Sequence, residues 1–321
     1  MRQHRVVVSD EAWAWMEPLL PSSAGRRGGR WRDHRQVIEA IAWKYRTGSP
    51  WREVPEQFGP WQTAYERLTR WSADGTWAKL LARAQADANA AGGWTGWWRR
   101  TPRWCGCTSS APPPAASAAT PRPPTPTRRA IDAKPPTAEH PTAEATDTDC
   151  PPEPVIGEPG DHAIGRSRGG LTTKVHALSD GAGRLLVVLL TAGNVHDTTM
   201  FAPLLAALTV ARPGPGRPRT RPDHLIADKG YSSRANRRLL RARGIGHTIP
   251  EKTDQAIHRR RRGSAGGRPP GFHADRYARR NGIERSFGQL KQWRGIATRY
   301  DKHARNYAGA VSLAALLTWL P

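Results

Sequence analysis

Cysteine is scarce: Cys105, Cys107 and Cys150 are the only three in 321 residues. Their spacing matches no zinc-ligand pattern and cannot build a disulfide framework, which excludes the stapled secreted scaffolds. Long apolar runs are lacking as well. The opening MRQHRVVVSDEAW has no apolar core of signal-peptide length, and AGAVSLAALLTWL near the C-terminus is too short to span a bilayer and reads as a buried closing helix. A cytoplasmic protein without a membrane partner is expected. Acid is the third shortage: 27 Asp and Glu stand against 50 Lys and Arg, a formal net charge of +23 and a pI near 11.2. Such an excess favours a polyanionic partner, usually nucleic acid; a solvated basic surface or an RNA-associated protein without chemistry is the other reading.

Against that basic background a few residues stand out. Asp228 closes the apolar-to-polar run LIADKGYSS, and Tyr277, Arg280, Glu284 and Lys291 follow in YARRNGIERSFGQLKQW, with Arg285 beside them. On one helix, at about 100° per residue, those four polar side chains share an arc of about 60°. Ile283, Phe287 and Leu290 line the adjoining face, so the helix can dock on a core while its polar stripe looks into a cleft. Spacing alone also allows an ordinary amphipathic helix with a solvated face.

Residues 9 to 92 read as helical, with Ser9 and Asp33 as N-caps ahead of DEAWAWMEPLL and HRQVIEAIAWKYRTG. Breaks at Gly48-Ser49-Pro50 and Gly59-Pro60 separate PWREVPEQFG from WQTAYERLTRW, and two short helices joined by a Gly-containing turn suit a helix-turn-helix. In that reading Gln62 to Trp71 is the recognition helix, with Gln62, Thr63, Glu66, Arg67 and Arg70 able to reach bases or phosphates. Trp43, Trp51, Trp61 and Trp71 read as core.

Beyond residue 161, LTTKVHALSD and RLLVVLLTAG form a hairpin about Asp180-Gly181-Ala182-Gly183. A helix in DTTMFAPLLAALTVA, the strand HLIAD ending at Asp228, the basic helix SRANRRLLRARG, a strand at IGHTIP and a flexible RRRRGSAGGRPPG loop precede the Glu284 helix. Strands first antiparallel and then interleaved with helices predict a mixed α/β sheet. Asp197 reads as a helix cap, His196 as structural, and the run Arg259 to Arg262 as either a flanking-DNA contact or a mobile solvated loop.

The pattern Y-x2-R-x3-E-x6-K, following an Asp at a strand end, resembles the signature of bacterial insertion-sequence transposases of the DDE type. The run from Trp51 to Trp71 is similar to the N-terminal domain of the same group. The resemblance covers residues 1–92 and 161–321. It implies an α+β two-domain protein: a helix-turn-helix-like region over 1–92 that binds terminal inverted repeats, and an RNase H-like mixed-sheet catalytic domain over 157–321. Asp228 and Glu284 become the second and third acidic ligands of two Mg²⁺ (or Mn²⁺) ions. Arg280 and Lys291 become contacts to DNA phosphates, Tyr277 assists position, and a homo-oligomer in a synaptic complex with target DNA is implied. Two such ions activate a water or 3′-hydroxyl and stabilise the leaving oxygen. Phosphate contacts carry a steep salt dependence.

Residues 93–156 depart from this pattern. Four tryptophans crowd positions 94 to 104, followed by a Pro/Ala/Thr/Arg-rich stretch without period. A Pro-rich linker does not explain the tryptophans and cysteines. Reading each codon one base earlier, the tightly constrained codons of Trp, Thr, Cys and Pro are compatible with D-W-x-V-A-x-D-S-T-V-V-R-x-H. That peptide resembles the family's first catalytic strand, with its aspartate at the Arg100/Thr101 junction. Two compensating frameshifts are therefore expected, near Gly92 to Trp94 and shortly before Asp161, leaving 93–156 disordered and the catalytic domain without its first strand and first carboxylate. Asp132, Asp147 and Asp149 are the acids that could replace it, none in an apolar strand context. The expectation is a transposase defective in catalysis; the alternative is a non-catalytic DNA-binding repressor of transposition.

Overall fold

The structure, a computed structural model, describes residues 7–22, 31–91, 162–167, 170–212 and 214–321, together with the backbone of 104–110. Two helix starts follow from their capping residues. Ser9 Oγ accepts from the Ala12 amide at 3.0 Å and opens α1 (Asp10–Met16); Asp33 Oδ1 accepts from the Arg35 amide at 2.9 Å and opens α2 (His34–Thr47). These side chains satisfy amides that a helix N-terminus leaves without partners. Gly48, at φ 74°, ends α2 in the left-handed region.

The helix expected over PWREVPEQFG is not formed. Pro50 and Pro55 split the segment into two 3-10 turns, Trp51–Glu53 and Glu56–Phe58, because proline supplies no amide for a continuous helix. Helices α3 (Trp61–Ala73) and α4 (Thr76–Ala90) complete the N-terminal region, whose described regular elements are all helical.

The second region is built on β1 (Trp104–Ser110), β2 (Gly165–Ser167), β3 (Gly170–Ser179), β4 (Leu185–Ala192), β5 (His224–Ala227) and β6 (Gly246–Thr248), with α5 (Phe201–Ala207) and α6 (Arg234–Ala242) between the later strands. Then follow α7 (Thr253–Arg261), α8 (Ala274–Ala278), α9 (Asn281–Gln292), α10 (Arg294–Thr298) and α11 (Ala304–Leu316). Pairing runs β2-β3-β1-β5-β6, with β4 on β3. The β3, β4 and β1 pairings are antiparallel, whereas β1–β5 and β5–β6 are parallel. The mixed α/β sheet is as expected.

Two expectations need correction. The central strand position, expected to be missing, is occupied: β1 lies between β3 and β5, with Gly106 opposite Ser179 and Cys107 opposite Ala227. A ladder needs only backbone N–H and C=O groups, which Trp104–Ser110 supplies ahead of the prolines that begin at Pro112. The rest of 93–156, with Asp132, Asp147, Asp149 and the Arg100/Thr101 junction, lies outside the described residues. The loop expected at Arg259 to Arg262 is instead the end of α7 and a 3-10 turn (Gly263–Gly266). Arg259 is held there by a two-point pair with Glu251, each bond 3.1 Å.

The helical and α/β regions share one continuous core rather than two. Tyr45, Leu68, Trp71 and Trp77 of the first region and Tyr307, Val311 and Leu316 of α11 belong to the same buried cluster as the sheet residues Ala177 and Leu185. Polar ties reinforce it: Gln85 Nε2 donates to Leu186 O at 3.0 Å and Trp319 Nε1 to Leu185 O at 2.9 Å. The run expected to be a buried closing helix is α11, which packs on α3, α4 and β4. Among the described residues no helix is long and apolar enough to cross a membrane.

The β3–β4 turn is where α9 is locked to the sheet. Ser286 Oγ donates to Gly183 O and to Gly282 O, and a Cβ added at Gly183 (φ +92°) would lie 2.7 Å from Gly282 O. Gly183→Ala therefore combines left-handed strain with a backbone clash, and is expected to cost more than about 1 kcal/mol. Chemical denaturation would detect it, and an unchanged midpoint would contradict the docking described.

Candidate active site

Asp228 sits one residue beyond β5, half-buried, with its Oδ1 accepting from the Lys229 amide at 2.7 Å and opening a 3-10 turn (Lys229–Tyr231). Asp228 thus caps the turn, and Tyr277 Oη donates to the same oxygen at 3.5 Å. Tyr277 is on α8, Arg280 is the N-cap of α9 and Glu284 lies in the first turn of α9. The single helix expected through all four polar residues is broken between Ala278 and Asn281. The cluster forms nonetheless: Arg280 Nη2 is 2.7 Å from Glu284 Oε1 and its guanidinium is 5.2 Å from the Tyr277 ring centre.

Burial, aided by the Asp228 and Glu284 carboxylates, raises the Tyr277 pKa above its ordinary value, while Arg280 opposes that rise. The phenol thus stays a donor at neutral pH. Lys291 is exposed in the last turn of α9, two helical turns, or about 10 Å, from Glu284. It shares the stripe without entering the cluster.

Sequence reasoning misjudged one carboxylate. The cap of the turn Asp197–Met200 is His196, whose Nδ1 accepts from the Thr198 amide at 3.3 Å. Asp197 instead pairs with Lys174 Nζ at 2.9 Å. Its Oδ2 and that of Asp228 each lie 3.9 Å from where a Cβ at Gly230 would be, and Thr198 Oγ1 donates to Gly230 O at 2.9 Å. Asp197 thus flanks the Asp228 turn. Its acid was visible in GNVHDTTMF; its partner Lys174 lay on a distant strand.

The residues expected to read DNA on α3 divide. Arg70, Gln62 and Glu66 are exposed. Arg67 is only 7% exposed: its guanidinium lies 4.3 Å from the Trp31 ring centre and shares a 3.3 Å hydrogen bond with His34 Nδ1. Arg67 therefore packs the helix rather than standing free to reach DNA. Trp71 is core, as expected, and Trp43, Trp51 and Trp61 pack partly buried against it.

Along its length the chain matches two family descriptions, "Putative transposase of IS4/5 family" over residues 8–81 and "Transposase DDE domain" over residues 123–319. This chain belongs to the DDE transposase family. Similar proteins include the "Putative transposase for insertion sequence element IS402" of Burkholderia cepacia, 31% identical over 161 residues, covering 50% of this chain and 68% of that protein. The "Putative transposase for insertion sequence element IS6501" of Brucella ovis is 31% identical over 150 residues, covering 47% of this chain and 99% of the relative. The "Insertion element IS402 uncharacterized 16.2 kDa protein" of Burkholderia cepacia is 33% identical over 91 residues, covering 26% of this chain and 62% of its own length. No solved structure matches the chain.

DDE-domain transposases generally use divalent metal ions. Asp228 and Glu284 supply the hard oxygen donors that Mg²⁺ takes, alongside phosphate and water. Among the described residues, however, no group of three His, Cys, Asp or Glu side chains is placed to hold a metal ion. In β1 Cys107 pairs with Ala227, the residue before Asp228, and the strand's sequence WCGCTSS contains no acid.

Proposed function

We propose that this chain is an insertion-sequence transposase whose residues 1–92 bind the element's terminal inverted repeats and whose residues 157–321 form an RNase H-like catalytic domain. The observation that carries this reading is the convergence of Asp228, Tyr277, Arg280 and Glu284 at the end of β5. The parallel β1–β5–β6 half of the sheet, beside an antiparallel β1–β3–β4 half, supports the RNase H-like assignment. In this reading Asp228 and Glu284 would hold the metal, Tyr277 and Arg280 orient a phosphate, and Lys291 with Arg70 binds the DNA backbone farther out. Mg²⁺ or Mn²⁺ supplies the activated nucleophile and the stabilised leaving oxygen when bound.

The missing acid in β1 favours a chain that binds repeats without cutting them, which is how a repressor of transposition acts. The two compensating frameshifts account for the loss. In the restored frame the aspartate falls at the Arg100/Thr101 junction, ahead of β1.

The test is metal-dependent nicking of a supercoiled plasmid carrying the element's ends. The chain as it stands is expected to retain the repeats in a mobility shift and leave the plasmid intact with Mg²⁺ or Mn²⁺. A chain with the frame restored is expected to nick it, and Asp228→Asn or Glu284→Gln to abolish that nicking. Nicking by the unrepaired chain that survives Asp228→Asn would overturn the assignment.

A further inference from the structure

Beside the contact that locks α9 to the sheet, the C-terminal end of α2, the β3–β4 turn, α9 and the end of α11 line an open cleft of about 660 Å³. Arg46, Arg184, Arg285, Gln289, Gln292 and Trp293 contribute to its lining, and none of its described lining residues is acidic. Arg184 is already paired with Asp180 at 2.8 Å and lies 4.0 Å from the Trp319 ring centre. The uncompensated charge is that of Arg46 and Arg285, both exposed, with the Arg46 guanidinium held 5.2 Å from the Trp293 ring centre.

We infer that this cleft holds one backbone strand of DNA, with Arg46 and Arg285 on phosphates and the Gln289 and Gln292 amides donating beside them. The volume is that of a ligand cleft, too small for a duplex and suited to a single backbone. Position favours a strand already engaged at the acidic cluster. Arg285 follows Glu284 on α9, and Glu284, Arg285, Gly288, Gln289 and Gln292 are all exposed. At about 100° per residue these form one surface running from the Asp228–Glu284 cluster around α9 into the cleft. The far wall is fixed, because α2 is docked on the α10 start: a Cβ at Gly295 would lie 3.0 Å from Tyr45. The cleft thus lies between the helical region and α9, and its polar lining is of cations and amides, the groups that position a phosphate backbone without reading sequence. Planar guanidinium groups suit phosphate oxygens in particular.

The inference rests on the DNA-binding part of the proposed function. Its test is fluorescence anisotropy of the full chain with a short labelled duplex of arbitrary sequence across a salt series. Arg46→Ala/Arg285→Ala is expected to lower affinity at least about tenfold and to flatten the log–log salt slope by about 1.8, the loss of two phosphate contacts. Arg46→Lys/Arg285→Lys should keep the slope. Arg285→Glu, at an exposed position, should lower affinity further and guards against a fold defect from the Arg46 change. Wild-type affinity and slope in Arg285→Glu or in the double alanine variant would overturn the cleft while leaving the transposase reading intact. A wild-type chain with no salt-dependent DNA binding would overturn both. Loss of nicking in Asp228→Asn of the frame-restored chain, with unchanged binding, separates the acidic cluster from the cleft.

Discussion

Replacing Asp301 with alanine is expected to remove about 3–5 kcal/mol of stability, the usual cost of leaving one half of a buried ion pair without its partner. Asp301 follows α10 and faces α2: its Oδ1 accepts from Tyr45 Oη at 2.8 Å and its Oδ2 lies 3.8 Å from Lys44 Nζ. Both charged side chains are almost fully covered, Lys44 at 3% and Asp301 at 5% exposure. Burial lowers the Lys44 pKa and Asp301 opposes that shift, so the carboxylate is what keeps the ammonium tolerable there. Burial and the neighbouring carboxylate push the Tyr45 phenol well above its ordinary value. Because the pair joins the helical region to the segment between α10 and α11, the loss should appear in one cooperative transition. Urea denaturation measures it. A loss below about 1 kcal/mol would show that water reaches Lys44. Lys44→Met/Asp301→Leu is expected to recover most of the stability, since apolar replacements remove both desolvation penalties.

Acidification from pH 7 to pH 4 is expected to cost about 3 kcal/mol through His224 alone. His224 opens β5, is 6% exposed, and shares a 3.0 Å hydrogen bond with Thr248 Oγ1 across the β5–β6 pair. Burial, then the positive charges of Arg276, His247 and His273, lower its pKa from 6.5 to about 4. The unfolded chain therefore takes up the proton first, and the stabilisation present above pH 6.5 drains as the pH falls toward 4. His34, His176 and His247 are lowered chiefly by burial as well, so they add in the same direction. Thermal melts at pH 7 and pH 4.5 should separate widely, and His224→Gln should narrow the gap. Equal narrowing by a substitution at the exposed His273 would remove His224 from the explanation.

The acidic cluster was legible because its members announce themselves locally. An acid at the end of HLIA and an acid four residues after an arginine on an amphipathic helix need no knowledge of the fold to be noticed, and both appear where expected. What the spacing could not convey was the break between α8 and α9. Tyr277 reaches Asp228 through that break and not along a continuous stripe. Arg67 shows the opposite failure. It lies among the buried residues of α3 with Ala64, Leu68 and Trp71, and Trp31, distant in sequence, covers its guanidinium. Asp197 failed for the same reason, since Lys174 on β3 outcompetes the local amides for its carboxylate.

By itself the sequence determined the capped helices, the β3–β4 turn, the strand leading to Asp228 and the Glu284 helix, because caps, turn residues and periodicity act over a few neighbours. It also determined that no acid stands in Trp104–Ser110. Tertiary structure alone decided that this segment lies at the centre of the sheet, since a strand's partners are supplied by β3 and β5 and not by its own side chains. It decided, too, that the helical region and the α/β region share one core, and that Arg46 and Arg285, 239 positions apart, face one cleft. Burial and charge pairing across such separations depend on which surfaces exclude water together, and that is a property of the packed chain.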